Sequence, residues 1–328
     1  GVTFGLPGDE VTIDFVGEKA LEIGGELTLN AFGFLQVEAA FAFSQGTVDV
    51  DVNGDGNFQP LAQTGDMDDA TLVTLGLDVS YLYVGVPDGS LGLEIAPQPG
   101  DPGVSLSFAT IKAADPTLDD RSYTAIKAEI NGLRLIGLEE LLALRVATAT
   151  LEINQAKSTT NTTLAALDWT KINTDANWTA GDTGLSYTAL EILDQTIDFT
   201  ATKLKVTATM DIAVGGFVYL SGSFAFEKRD TVAVRIKGET VTTNMTGITL
   251  GASNVSAFVG LLDDQDGDGF ASTGEIGTAS DSDSVGVALT LDDLALVSLT
   301  PVLTEAEAAN ASTPIFKYLA LSAEGSVG

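Results

Sequence analysis

The chain has 328 residues, 45% of them hydrophobic, and contains no cysteine and no histidine. This composition excludes disulfides, zinc sites built on Cys or His, thiolate nucleophiles and catalytic triads with an imidazole base. The 15 Lys+Arg and 46 Asp+Glu give a formal net charge of −31, which opposes binding to nucleic acid and anionic lipid and favours divalent cations. Apolar residues alternate with polar ones, and no run of about 18 apolar residues predicts a membrane span.

Short segments of the first half of the chain return in the same order in the second half, at an offset of roughly 185 residues. We therefore predict a tandem repeat, with a first β-rich unit over residues 1–194 and a second, truncated unit over 195–328. The matched segments are Thr12–Phe15 with Thr196–Phe199, Gly33-Phe34 and Phe41–Phe43 with Gly216-Phe217 and Phe224–Phe226, Thr47-Val48 with Thr231-Val232, Thr74–Gly76 and Val84-Gly85 with Thr249–Gly251 and Val259-Gly260, Gly103-Val104 with Gly286-Val287, and Tyr123–Glu129 with Tyr318–Glu324.

Between these segments the sequence alternates with period two, as in Lys205 to Val214, and it is rich in Thr, Val, Ile and Phe. These features predict an all-β fold. We expect an elongated β-solenoid-like stack, because a one-dimensional array buries the face of each unit against its neighbour. The alternative is an antiparallel sandwich or meander array in which Gly215-Gly216 forms a hairpin turn.

The first segment with metal chemistry follows the strand pattern that ends near Val50. Asp51, Asn53, Asp55 and Gly56 match the opening of the calcium-loop pattern D-x-[DN]-x-[DN]-G-x5-E, but its last position is Ala62. A calcium site here needs Asp66, Asp68 or Asp69 to fold back and complete the ligand shell.

Two later segments break the strand pattern. Leu138 to Arg145 is compatible with two helical turns, although its position in the repeat favours a strand. Residues 155–187 are polar and rich in Thr and Asn, which predicts a long excursion or a link between the two units.

The second unit contains a complete calcium-loop pattern over residues 264–275. Calcium prefers six to eight oxygen ligands at about 2.4 Å, and this spacing wraps them around one ion. Gly269 permits the sharp turn. The predicted ligands are the carboxylates of Asp264, Asp266 and Asp268, the backbone carbonyl of Phe270, Ser272 directly or through water, and Glu275 in bidentate fashion.

These twelve residues resemble the calcium loop of EF-hand proteins. The sequences on either side, 255–262 and 276–287, do not predict the two flanking helices of that family. The resemblance therefore implies an ion site and not the helix-opening switch.

Other candidate sites have less support in the sequence. The acidic pairs Asp119/Asp120, Glu139/Glu140 and Asp292/Asp293 are possible catalytic carboxylates of a β-helical carbohydrate-active enzyme, but adjacent residues of a strand point to opposite faces. Trp178 is either a sugar-contacting aromatic or a packing residue. N-glycosylation sequons begin at Asn161, Asn177, Asn244, Asn254 and Asn310.

The repetition, the acidity and the helix-free calcium loop are similar to those of giant tandem-repeat surface proteins of bacteria. The resemblance implies an extracellular, calcium-stabilised structural protein without enzymatic activity, a repeat of a filament, sheath or adhesin. We expect Ca²⁺ as the bound ion, self-association, possible contacts with glycans or surfaces, and no nucleic-acid partner. The alternatives are the β-helical enzyme and a β-groove that carries lipid.

Overall fold

The computed structural model describes residues 2–4, 11–13, 19–95, 103–161, 164–174, 178–238, 240–262, 271–273, 284–303 and 317–327. Within them the chain forms strands and irregular connections, and the predicted all-β class is confirmed. The strands are β1 (Val2–Phe4), β2 (Val11–Ile13), β3 (Lys19–Ala31), β4 (Leu35–Val50), β5 (Met67–Gly85), β6 (Gly92–Ile95), β7 (Val104–Lys112), β8 (Ser122–Ile136), β9 (Leu142–Lys157), β10 (Ile172–Asn173), β11 (Leu190–Ile192), β12 (Gln195–Ile197), β13 (Lys203–Val214), β14 (Val218–Val234), β15 (Thr243–Leu261), β16 (Val285–Pro301) and β17 (Tyr318–Val327).

Thirteen strands form one large antiparallel sheet, while β1–β2 and β11–β12 are separate two-stranded sheets. Strands that follow one another in sequence are mostly neighbours, from β3 at one end to β17 at the other. The described ladders are those of the antiparallel meander that we kept as the alternative, and the solenoid-like stack is not confirmed. The physical reason lies in connections such as 32–34 and 215–217, where a tight turn reverses the chain and pairs consecutive strands in antiparallel fashion.

Gly215-Gly216 forms a hairpin turn, as the meander alternative requires. Both glycines have positive φ, 60° and 59°, and with Phe217 they join β13 to β14. Phe217 N donates to Val214 O at 3.2 Å. The turn between β3 and β4 has the same form, with positive φ at Phe32 and Gly33.

The two halves of the sheet share a register at most of the matched segments. Ala42 of β4 lies opposite Gly76 of β5, and Ala225 of β14 lies opposite Gly251 of β15. The amide of Gly85 donates to Phe34 O, and that of Gly260 donates to Phe217 O, both at 2.9 Å. This shared register supports the tandem repeat, which stays a prediction.

One matched segment is not in the expected place. Gly286 lies opposite Gly260, and the residue opposite Gly85 is Gly92, not Gly103. The reason is that the first half divides between β6 and β7 the region that the second half spans with β16 alone.

The segment with helical potential contains a turn followed by a strand. Both Leu141 N and Leu142 N donate to Leu138 O, at 2.8 and 2.7 Å, and Gly137 N donates to the Glu139 carboxylate. Strand β9 then begins at Leu142. Cross-strand pairing with β13 decides the conformation over local helical propensity.

The polar excursion is part of a longer crossing segment, residues 158–202, that covers one face of the sheet. From β9 the chain crosses to β4, where Ile172 pairs with Val50, and it returns to β13 past β5 and β8. Its apolar side chains complete the main core with those of β4, β5, β7 and β8. We call this side of the sheet the covered face. The core residues contributed by the crossing segment are Leu167, Trp169, Ile172, Leu190, Ile192, Ile197 and Phe199.

Candidate functional site

The loop between β4 and β5 carries the predicted first calcium ligands, Asp51, Asn53 and Asp55. Asp51 is fully buried, and its carboxylate accepts the amides of Gly54 and Gly56 at 2.7 and 2.8 Å. The side-chain oxygen of Asn53 accepts the amide of Asp55 at 2.8 Å. These bonds wind the chain tightly, so the three predicted ligands lie in one compact loop.

Asp66 folds back on this loop, as a calcium site requires. Its carboxylate accepts the amides of Val52 at 2.9 Å and Gln59 at 2.7 Å. Burial raises the pKa of Asp66, backbone hydrogen bonds oppose that rise, and the negative charges of Asp51 and Asp55 add to it. The structure therefore brings these acidic side chains together at the base of the loop.

A second acidic group lies beside it. The carboxylates of Asp49, Asp68 and Asp69 each place an oxygen within 4.8 Å of the others, so this group could hold a metal ion. Asp49 is buried, while Asp68 and Asp69 are exposed. Burial is the main cause that raises the pKa of Asp49 and of Asp68, and neighbouring carboxylates raise both further. A divalent cation would relieve this repulsion.

Sequence reasoning named Asp68 and Asp69 only as ligands for the neighbouring loop, and it missed Asp49. The ladder between β4 and β5 shifts register between Val48 and Val50. Such a bulge re-aims the side chain at the irregular position. One sequence signal could have indicated this acidic group. Asp49 and Asp51 lie two residues apart at the end of a strand, and Asp66-x-Asp68-Asp69 follows.

The acidic region ties the crossing segment to the sheet. Asp49 accepts the amide of Trp178 at 2.7 Å, and Asp51 accepts the hydroxyl of Tyr187 at 2.6 Å. The ring of Trp178 is 8% exposed and contacts Phe58 and Tyr187 edge-on, with centroids 5.4 and 5.8 Å apart. Of the two interpretations of Trp178, packing is the one found. An ion here would stabilise the cover of the core.

The complete calcium pattern lies almost wholly outside the described residues. The structure does not describe five of the predicted ligands, Asp264, Asp266, Asp268, Phe270 and Glu275. Ser272 is described and is partly buried, next to the buried Thr273.

Among the acidic pairs, both carboxylates of Asp119/Asp120 accept structural hydrogen bonds, and so does Glu139. Burial raises the pKa of Asp119, but the opposing hydrogen bonds from Arg121 prevail, and the pKa lies below its usual value. The hydroxyls of Ser158 and Thr159 hold the pKa of Asp120 well below its usual range. Glu139 lies in the turn before β9, and Asp293 lies at a register shift of the β16–β17 ladder.

The side of the sheet opposite the covered face is apolar, and we call it the apolar face. Residues directly opposite each other in a ladder point to the same side, and two rows of such residues cross eleven strands from β3 to β17. Every member of the first row is at least partly exposed, with Val206 at 39% and Leu250 at 41%. The first row is Gly25, Phe41, Leu77, Leu106, Ala128, Leu151, Val206, Phe226, Leu250, Leu296 and Leu321, and the second is Leu27, Ala39, Val79, Val104, Ile130, Ala149, Ala208, Phe224, Ala252, Leu294 and Ala323.

These rows extend over roughly 50 Å at about 4.8 Å per strand. They contain no charged or polar side chain. Period-two alternation in the sequence indicated one apolar face. It did not indicate that the opposite face also supplies core residues, because the crossing segment covers that face.

No protein-family model matches the chain, and no curated protein or solved structure matches it. In the described part of the chain, no helix has the length and apolar character needed to cross a bilayer.

Proposed function

We propose that the chain is a calcium-stabilised structural repeat of an extracellular assembly such as a filament, sheath or adhesin, and that its copies associate through the apolar face. The observation that carries this proposal is the first apolar row, whose members from Gly25 to Leu321 are all exposed or partly exposed. A strip about 50 Å long and ~10 Å wide covers ~500 Å². This is the size of the largest apolar patches on soluble monomers, which are often functional.

Calcium is the ion that the acidic groups favour. Hard oxygen ligands from carboxylates and backbone carbonyls suit Ca²⁺, and the chain has neither Cys nor His for softer metals. The Asp49 group lies where the crossing segment meets the sheet. Binding there adds to the free energy of unfolding, and an ion at 264–275 does the same for the connection of β15 and β16. Calcium-rich surroundings outside the cell supply the ion.

The net charge of −31 opposes association between copies, and bound or screening cations reduce that repulsion. Calcium thus has two effects in this proposal. It stabilises each repeat, and it permits the apolar faces to approach.

Association through the apolar face is tested by placing charges on it. We expect Val206→Glu/Leu250→Glu to form smaller species than the wild-type chain forms in calcium, measured by light scattering. The control, Thr148→Glu/Thr200→Glu, adds the same charge at exposed positions outside the rows and should associate like the wild type. Equal association of all three proteins would overturn the proposal.

A second function, the carrying of apolar cargo such as acyl chains, is favoured by a specific observation. The two rows pass from β9 to β13, between the predicted repeats, without a charged residue. An apolar track that crosses unit boundaries suits a linear hydrocarbon chain. Binding of a fluorescent fatty acid by a chain that stays monomeric, and its loss in Val206→Glu/Leu250→Glu, would favour this function over assembly.

A further inference from the structure

The hairpin of β11 and β12 is seated on the first half of the covered face. Leu190, Ile192 and Ile197 are 5%, 4% and 1% exposed. Ser107 Oγ donates to Ile192 O at 3.2 Å, and Lys127 Nζ donates to Thr196 O at 3.2 Å. The hairpin therefore lies across β7 and β8 and closes the core at that point.

The close contact between the β11–β12 hairpin and the sheet requires a glycine at position 76. A Cβ atom at Gly76 would lie 2.7 Å from Leu193 Cγ and 2.9 Å from Ile192 Cγ2, closer than carbon atoms pack. The glycine thus forms a notch in β5 that receives the turn of the hairpin.

The second half of the sheet has the same notch, and in the described structure nothing fills it. Gly251 stands opposite Ala225 as Gly76 stands opposite Ala42. The atoms nearest to a Cβ at Gly251 belong to its neighbours in the sheet, Ala225 at 3.8 Å and Leu294 at 3.9 Å. A groove of about 310 Å³ surrounds the notch, and its lining includes Thr207, Thr209, Ser223, Ala225, Gly251 and Asp293.

The chain contains a second hairpin that carries the same sequence segment. Thr196-Ile197 of β12 is repeated as Thr12-Ile13 of β2, and Ile13 pairs with Val2 as Ile197 pairs with Leu190. Strands β1 and β2 form a two-stranded sheet of their own. Such a hairpin is at best marginally stable in water without a surface to cover.

The β1–β2 hairpin is too far along the sheet to reach the notch of its own chain. Five residues, 14–18, separate Ile13 from Lys19, the first residue of β3, and together with the three residues of β2 they span at most about 30 Å. From β3 to β15 there are eight strand spacings, or roughly 38 Å along the sheet. The β1–β2 hairpin can therefore fill this notch only on another molecule.

We propose that the Gly251 groove binds the β1–β2 hairpin of a second copy of this chain, so that one copy covers the next as β11–β12 covers the first half. The polar contacts of the first seat are not repeated, because Asp293 and Ala295 stand where Ser105 and Ser107 stand in β7. Docking therefore depends on the shape of the notch at Gly251. The inference deepens the proposed assembly, but it uses the covered face and not the apolar face.

The absence of cysteine makes cross-linking specific. We would mix a Thr12→Cys chain with a Ser223→Cys chain in calcium, add a short bismaleimide, and measure the mixed dimer by mass spectrometry. The control partner is Ala252→Cys, on the opposite side of the sheet. We expect at least tenfold more product with Ser223→Cys than with Ala252→Cys, and at least a fivefold loss when Gly251→Leu is added to the Ser223→Cys chain.

Equal yields with Ser223→Cys and Ala252→Cys would overturn the docking. So would a cross-link formed mainly within single chains of a Thr12→Cys/Ser223→Cys protein at high dilution. Adding Val206→Glu/Leu250→Glu separates the two proposals. We expect the added charges to reduce the size of the assemblies and to leave the cross-link intact, whereas a lost cross-link with assemblies of normal size contradicts the docking alone.

Discussion

At the scale of single residues, polar side chains that are fully buried hold the crossing segment to the sheet. Asn154 is fully buried on β9. Its amide donates to Leu167 O and Ala201 O, both at 2.8 Å, and its oxygen accepts the indole N–H of Trp169 at 2.9 Å. One side chain thus binds both ends of the segment that covers the core.

We expect Asn154→Ala to lower the free energy of unfolding by about 1–3 kcal/mol, because Leu167 O, Ala201 O and the indole N–H of Trp169 lose their partner. Thr148→Ala, at an exposed position of the same strand, should change it by less than about 0.5 kcal/mol. Urea unfolding followed by tryptophan fluorescence measures both. Equal effects would show that Asn154 does not hold the segment.

Asp120 makes stability depend on pH in a defined direction. Hydroxyls of Ser158 and Thr159 lower its folded pKa below the ordinary value of 3.8. Its contribution is therefore complete above that value and is lost as the pH falls through the folded pKa. We expect Asp120→Asn to reduce the unfolding midpoint in urea at pH 6, with a difference from wild type that shrinks below about pH 3.8. A constant difference across this range would contradict the assignment. Asp211→Asn is the control.

The acidic groups predict two separable calcium-binding events. Calorimetric titration of chelator-treated protein should show both, and Asp268→Ala should remove the one at residues 264–275. Asp68→Asn should weaken the other at least tenfold, because it removes one of three charges around the ion. The matched control, Asp198→Asn, changes a carboxylate with 63% exposure outside both groups and should leave both events intact. Unchanged binding in Asp68→Asn would show that the Asp49 group is only an acidic surface.

At the scale of elements, two glycines in matching registers have different surroundings. A valine at Gly76 would collide with the β11–β12 hairpin, whereas a Cβ atom at Gly251 would meet only Ala225 and Leu294, at ordinary contact distances of 3.8 and 3.9 Å. We expect Gly76→Val to cost about 1–3 kcal/mol of stability and Gly251→Val to be neutral, since a β-branched residue suits a strand. Thermal unfolding of monomeric samples distinguishes them. Equal destabilisation would contradict the difference between the two seats.

The sequence predicted those features of the fold that depend on local pattern. The alternation in Lys205 to Val214 indicated a strand, and the glycine pair Gly215-Gly216 indicated the turn that the structure has. Both signals lie within a few residues of the structure that they predict. For the loop at Asp51 the sequence left Asp66, Asp68 and Asp69 as alternatives, and the structure places Asp66 against it.

The remainder depends on contacts between distant residues. Nothing local to the polar stretch 155–187 shows that Trp169 and Ile172 complete a core with β4 and β5. The position of Asp49 depends on a register shift, which period-two alternation does not reveal. The choice of meander over solenoid likewise depends on pairing between strands.

At the scale of the whole molecule, the sheet has two kinds of incomplete surface. The apolar face is exposed or partly exposed along its first row, and the covered face has a cover over its first half and, among the described residues, an unfilled notch in the second. The exposed apolar surface favours association between copies, whereas the net charge of −31 opposes it. Calcium bound by carboxylates reduces this repulsion and so permits the association.

Sedimentation velocity of the full chain in calcium, in chelator, and in sodium at matched ionic strength is the most direct test of this account. The account predicts larger species in calcium, and monomers in chelator and in sodium, because bound ions and not screening alone permit association. A single monomeric boundary in all three solutions, at concentrations up to the solubility limit, would contradict it.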